Sequence, residues 1–269
     1  MSIKSIRATL ATALSIALLA GTGAASAETL RIGGTGVALG GMKHLGRAFE
    51  TRNPDITVEV LPSLGSSGGI KALVAGAIDL SVSSRPLKDA EAAQGAEAQL
   101  YATTPLAIVT SRGTQSDGLS TEQLARMYAG TMPNWPTGER VRVVLRPPSE
   151  SDIKILRSLS EDMASAMDTA MDRPGLVMAT NDQNNAETLE NLPGSIGAVA
   201  LGQIASEGRN LKVLTLDGAM PGDDSGAFSK GLYLVSTQAP IPAAEAFTAF
   251  VFSPEGREIL EALDHASPR

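Results

Sequence analysis

From Thr29 almost to its end, the chain alternates short apolar runs with segments whose apolar residues recur at helical spacing. Nothing else in the sequence limits the fold so tightly. Thr29–Ile32 reads as a strand, followed by the glycine-rich run 33–41, and then a helix with Met42, Leu45 and Phe49 on one face and Lys43, Arg47 and Glu50 on the other. Ile56–Leu61 alternates as a strand; after it comes Gly65-Ser66-Ser67-Gly68-Gly69 and a helix turning Ile70, Leu73, Val74 and Ala77 inward. Asp79–Ser83, Tyr101–Thr110, Val141–Leu145, Gly175–Ala179, 194–199, Leu211–Leu216 and Gly231–Val235 read as further strands. Ser120 with Gln123 marks a helix start; Ile153, Leu156 and Leu159 line another helix; a last one runs from about Ala243 to Leu263 with a break at Ser253-Pro254. Alternation of this kind implies an α/β architecture with largely parallel sheets, and such sheets bind ligands beyond the carboxyl ends of their strands. Loops 33–41, 65–69, 83–85 and 146–152 occupy such ends.

The first 27 residues read differently. Lys4 and Arg7 precede an apolar run from Ala8 to Ala20, and Ala25-Ser26-Ala27 is an A-x-A cleavage site. This is the pattern of a secretory signal peptide, too short and wrongly flanked for a membrane span. Cleavage leaves 242 of the 269 residues, with 20 basic and 29 acidic side chains and a formal charge of −9. Nucleic acid and anionic membrane surfaces are poor partners for such a chain. The absence of cysteine rules out disulfides, thiolate metal sites and a lipobox, so stability has to come from the core. With only His44 and His265, no metal site and no cofactor are expected.

The glycine–serine run at 65–69 admits two readings. Spelled G-x-S-x-G, it matches the nucleophile elbow of a serine hydrolase, with Ser67 attacking. As a loop opening a helix, it presents unpaired amides to an anion. The hydrolase needs an imidazole, and the candidate, His265, lies in the tail LDHASPR, where fraying is expected. Gly34-x-Gly36-x-x-x-Gly40 misses the dinucleotide fingerprint by one residue, and no phosphate-binding G-K-S/T occurs. Arg146 follows an apolar strand, where its guanidinium fork can meet an oxyanion or simply pair with a carboxylate. Ser149-x-x-Asp152 can serve as a capping box.

Taken in order, the Gly/Thr-rich loop, G-S-S-G-G, S-x-S-S-R-P-L, L-S-x-E-Q-L-x-x-M-Y-x-G with Trp135, and V-R-V-V-L-R-P-P-S-E-S-D resemble the phosphate-binding-protein family of periplasmic solute receptors for ABC transporters. The resemblance covers essentially the whole mature chain. It implies a type II periplasmic binding protein: two α/β lobes joined by two crossover hinge strands, closing on one anion. Tyr101–Thr110 and Gly231–Val235 are the candidate crossovers. The expected division is signal peptide 1–27, one lobe from 28–105 plus 232–269, and the other from 106–231.

Carried over residue by residue, the resemblance assigns Gly36, Ala38 and Leu39 as amide donors of the first loop. Ser66 is the hydroxyl ligand of the second, with the amides of Ser67 and Gly68 beside it. Ser84 and Arg85 stand where the family has an aspartate that accepts the proton of hydrogen phosphate. Arg146 matches the family arginine, and Glu150, Ser151 and Asp152 stand where a G-S-G-T loop is usual. Two roles for Glu150 follow: taking over the missing proton acceptor, or pairing with Arg85 across the cleft as a latch. The implied protein is a non-catalytic periplasmic monomer that delivers phosphate, or a phosphate-like oxyanion, to an ABC permease. The alternatives are a sensor subunit for sulfate, molybdate or tungstate and, from another class, a secreted serine hydrolase using Ser67.

Overall fold

The computed structural model describes residues 28–223 and 228–268, so the expected signal peptide lies outside the described residues. The chain opens with β1 (Glu28–Gly34), α1 (Gly36–Arg52), β2 (Ile56–Val60), α2 (Gly65–Val74), β3 (Leu80–Ser83) and a single turn, α3 (Asp89–Ala92). A long strand, β4 (Ala96–Ser111), leads to β5 (Gly118–Leu119), α4 (Thr121–Ala129), β6 (Arg142–Leu145), α5 (Ser151–Arg157) and α6 (Glu161–Asp172). Then come β7 (Val177–Met178), α7 (Asp182–Asn191), β8 (Ser195–Ala200), α8 (Leu201–Glu207), β9 (Leu211–Val213) and β10 (Thr215–Leu216). The chain returns through β11 (Ser229–Thr237) to α9 (Pro242–Val251) and α10 (Pro254–Glu261).

The main sheet has the order β2-β1-β3-β11-β4-β8-β6-β7, with β9 added to β4 and a separate β5–β10 pair. β1 is parallel to both neighbours, and β6 is parallel to β7 and β8. β4 is shared between the two parallel groups. Its residues 96–105 pair with β11, and Leu106–Val109 pair with β8. Both expected crossover segments fall inside β4 and β11.

Two large apolar cores lie on either side of the shared strand. One gathers Leu30, Ile32, Met42, Leu45, Phe49 and Phe247, where the rings of Phe49 and Phe247 meet edge to face at 5.3 Å. The other gathers Leu124, Met127, Tyr128, Trp135, Ile153 and Met163. Trp135 is 2% exposed and donates its indole N–H to the Gly194 carbonyl at 3.1 Å, as a buried indole requires. Ser120 caps α4, with Gln123 completing the capping box expected there.

Five expectations are corrected. The run 65–69 is not a loop, because α2 begins at Gly65, and neither is the run 33–41, in which α1 already begins at Gly36. Its glycines serve close packing: a Cβ at Gly36 would meet Asp182 and Gln183 within 2.9 Å, and one at Gly40 would meet Ser206 at 2.2 Å. They let α1 press against α7 and α8. The single strand expected over Leu211–Leu216 is two, β9 and β10, which pair with different partners. Ser149 does not cap α5, since Glu150 occupies the N-cap position without a side-chain capping bond.

The tail, finally, does not fray. Ala266 pairs with Thr103 of β4, and His265 is 3% exposed beside Gly41, Gly202 and Leu260.

Candidate ligand-binding site

Four hydroxyls converge at the carboxyl ends of the parallel strands. Thr35 follows β1, Ser66 lies in the first turn of α2, Ser84 follows β3, and Ser151 opens α5. The Ser84 hydroxyl is at their centre, 3.4 Å from that of Thr35, 3.3 Å from that of Ser66 and 3.3 Å from that of Ser151. The Ser84 amide also donates to Ser66 Oγ at 3.0 Å. Thr35, Ser66 and Ser84 thus come from the β1–β3 half, and Ser151 comes from the β6–β8 half.

Two glycines make this approach possible. Gly34 has φ +134°, and a Cβ there would lie 2.0 Å from the Val82 carbonyl. A Cβ at Gly69 would lie 2.5 Å from both Gly34 Cα and Ser81 Oγ, so α2 sits directly on β1 and β3.

Beside the hydroxyls is a cluster of charges. Arg146, 4% exposed, leaves the end of β6 and reaches Glu150 at 3.1 Å, Asp182 at 3.3 Å and Asp152 at 3.9 Å; its Nη1 also donates to the Ala179 carbonyl at 3.4 Å. Asp152 forms an ion pair with Lys230 of β11, which is 3% exposed. Burial alone would push the Lys230 ammonium down, but Asp152 and Asp182 outweigh it and hold its pKa above the usual lysine value. Burial raises the Glu150 carboxyl, and Asp182 and Asp152 add to the rise against Arg146 and Lys230. Gln183 of α7 donates to the Gly36 carbonyl at 2.9 Å, so α7 and the start of α1 are bonded directly.

Ser66, Ser84, Arg146, Glu150, Ser151 and Asp152 are therefore brought together, and Gly36 adjoins them through Asp182 and Gln183. Ala38 and Leu39 stand elsewhere. They lie inside α1, buried, and the Ala38 amide already meets the Thr35 carbonyl at 3.2 Å. The amides that such a helix leaves without an internal acceptor are those of its first residues, Gly36 and Val37. At α2 the same argument selects Ser66 and Ser67, while Gly68 enters the helical ladder.

Arg85 donates to both Glu91 oxygens, at 2.8 and 2.6 Å, and to Ser67 Oγ at 2.8 Å. That fork holds the Glu91 carboxyl at about 2. With Arg85 on Glu91 and Glu150 on Arg146, the cross-cleft latch between Arg85 and Glu150 is not formed.

Sequence reading missed Thr35, Asp182, Gln183 and Lys230. Thr35 left a signal in the Gly/Thr-rich run after the first strand, and Lys230 as the single cation at the start of a strand. Asp182 and Gln183 left none, because α7 was not anticipated.

A model of the PBP superfamily domain matches residues 20–255. The chain belongs to the PBP superfamily. Over 94 residues it is 30% identical to Phosphate-binding protein PstS 2 of Streptococcus agalactiae, a stretch that is 35% of this chain and 32% of that protein. The chain thus matches about a third of the length of its curated relative. Its fold is similar to that of a putative phosphate ABC transporter substrate-binding protein with bound phosphate from Clostridium perfringens, with a TM-score of 0.74 at 19% identity, covering 90% of this chain and 100% of that one. The molybdate-binding periplasmic protein of Azotobacter vinelandii is similar too, with a TM-score of 0.62 at 15% identity and coverages of 89% and 100%. The architecture of this superfamily member is that of the type II periplasmic binding proteins, mixed α/β around a central sheet.

Proposed function

We propose that the protein is an exported solute-binding protein that captures a small oxyanion, phosphate or a phosphate-like ion, between two lobes and delivers it to an ABC permease. The observation that carries this reading is the convergence of four hydroxyls from both halves of the molecule beside a buried arginine. Hydroxyls and first-turn helix amides are donors of the kind tetrahedral oxygens accept from, and Arg146 brings a guanidinium beside them. The lobes are residues 28–105 plus 232–269 and residues 106–231, hinged where β4 and β11 pass between them. Among the described residues, no helix is long and apolar enough to cross a membrane. The signal-peptide pattern of residues 1–27 supports a periplasmic location.

The protein performs no chemistry on its ligand in this reading. Ser67 is bonded to Arg85, and both histidines are engaged elsewhere: His44 with the Ser206 carbonyl at 3.1 Å, His265 against Gly41 and Gly202. Neither imidazole is therefore placed as a base for Ser67.

Isothermal titration of the unfolded, dialysed and refolded mature protein with phosphate, sulfate, molybdate and tungstate tests the proposal. Micromolar or tighter binding of phosphate is expected. A win for sulfate or a metal oxyanion would reassign the ligand, and no binding to any of the four would remove the oxyanion reading.

A further inference from the structure

The charges around Arg146 do not balance. Arg146 and Lys230 supply two positive charges; Glu150, Asp152 and Asp182 supply three negative ones within the same cluster. Among the described residues no other arginine pairs with these carboxylates, and Arg85 is held by Glu91. With every group ionised, the cluster is net negative where the proposed function needs it to receive an anion. A dianion seated there would meet an uncompensated carboxylate at low dielectric, which is strongly unfavourable.

The three carboxylates are not equally placed to yield. Asp152 is 3% exposed and held by Lys230 and Arg146; Asp182 is 7% exposed and wedged against the start of α1. Glu150 is 31% exposed, and its contact with the cluster is a single ion pair to Arg146 Nη2. It stands at the N-cap of α5 without making a capping bond, so nothing in α5 depends on its side chain. It is also the immediate neighbour of Ser151, which reaches the hydroxyl cluster. The groups facing it are Arg146 from the end of β6, Asp152 from α5, Asp182 from α7 and Lys230 from β11.

We propose that Glu150 is a built-in counter-ion of Arg146 that accepts a proton and leaves the guanidinium as the oxyanion seats, so that each ion is captured together with one proton. The ligand class is then an oxyanion taken up with one proton. Neutral Glu150 becomes a hydrogen-bond donor available to an anion oxygen, and Arg146 exchanges one partner for another. Burial and the two aspartates already bias Glu150 toward the protonated form. The inference rests on the proposed function above.

The test is calorimetry at pH 8 in two buffers of different ionisation enthalpy, with sulfate and molybdate as probes that do not titrate near that pH, and with phosphate. The wild-type protein and Glu150→Gln are compared. The expected result is uptake of about one proton per ion by the wild type and none by the variant. The variant should bind at least about tenfold tighter at pH 8, with the two proteins converging toward pH 5, where one pKa unit corresponds to a factor of ten. Glu150→Ala, which also removes the carboxylate, should shift the pH profile in the same direction if Gln packs poorly. Equal proton uptake by wild type and variant would overturn the inference and leave oxyanion binding intact. No oxyanion binding by either protein would overturn the proposed function and this inference with it.

Discussion

Arg146 is buried among three carboxylates, so removing it affects both folding and binding. Arg146→Met should lower stability by about 3–5 kcal/mol, because it strands buried carboxylates without a partner. It should also abolish oxyanion binding. Adding Asp182→Asn should recover a good part of the stability and none of the binding; denaturant melts and calorimetry on both variants separate the two effects. Ser67 behaves differently. Its exposed hydroxyl accepts from Arg85, so Ser67→Ala should weaken anion binding by less than about tenfold, since one net hydrogen bond contributes ~1 kcal/mol. If the same variant lost an esterase activity present in the wild type, the binding-protein reading would fail.

At the scale of elements, the site depends on how closely α2 approaches β1 and β3. Gly69 marks the point of contact, with Gly34 Cα and Ser81 Oγ both within 2.5 Å of where a Cβ would stand. Gly69→Ala should cost about 1–3 kcal/mol, as overpacking does, and should weaken binding as well by displacing Ser66 from Ser84. Thermal melts and titrations of one preparation read both. Ser120→Ala tests an element remote from the site. Loss of the cap on α4 should cost about 1 kcal/mol and leave oxyanion affinity unchanged. Together the pair tells damage to the fold from damage to the site.

At the scale of the whole molecule, the tail joins parts that are far apart in sequence. Ala266 extends β4 at Thr103, the Asp264 carbonyl accepts from Thr104, and Thr104 Oγ1 accepts from the Gly202 amide at 2.9 Å. His265 thereby fills the space between α1 and α8. Burial pushes its pKa below the usual 6.5, against the opposing pull of the Leu263 and Leu260 carbonyls. The folded state therefore binds this proton less readily than the unfolded chain. Its contribution to stability is complete above pH 6.5 and is lost as pH falls from there toward the depressed folded value. His265→Leu should remove that component. The difference between wild-type and variant unfolding free energies, measured from pH 5 to 8, should slope upward with pH below 6.5 and be flat above it.

The alternation of strands and helices is written in local spacing, and with it the α/β class and the strand ends where a site could form. Apolar periodicity, the Ser120 capping box and Pro254 are local signals, and local signals survive without tertiary context. Ser66, Ser84 and Arg146 were legible as candidates for the same reason, since each follows directly from a strand or opens a helix. The rest depends on contacts between segments distant in the chain. The glycines of 33–41 look like loop punctuation until α7 and α8 are pressed against them; then they are the small residues that let helices meet. Lys230 reads as a lone cation in a strand until the fold brings it to Asp152, 78 positions away in sequence. Asp182 and Gln183 reach the start of α1 across nearly 150 residues, and no pattern along the chain records that meeting. His265 reads as part of a fraying tail until Ala266 pairs with Thr103 of β4. Spacing along a chain encodes which face a residue presents; what that face touches is fixed only when the strands find their order in the sheet.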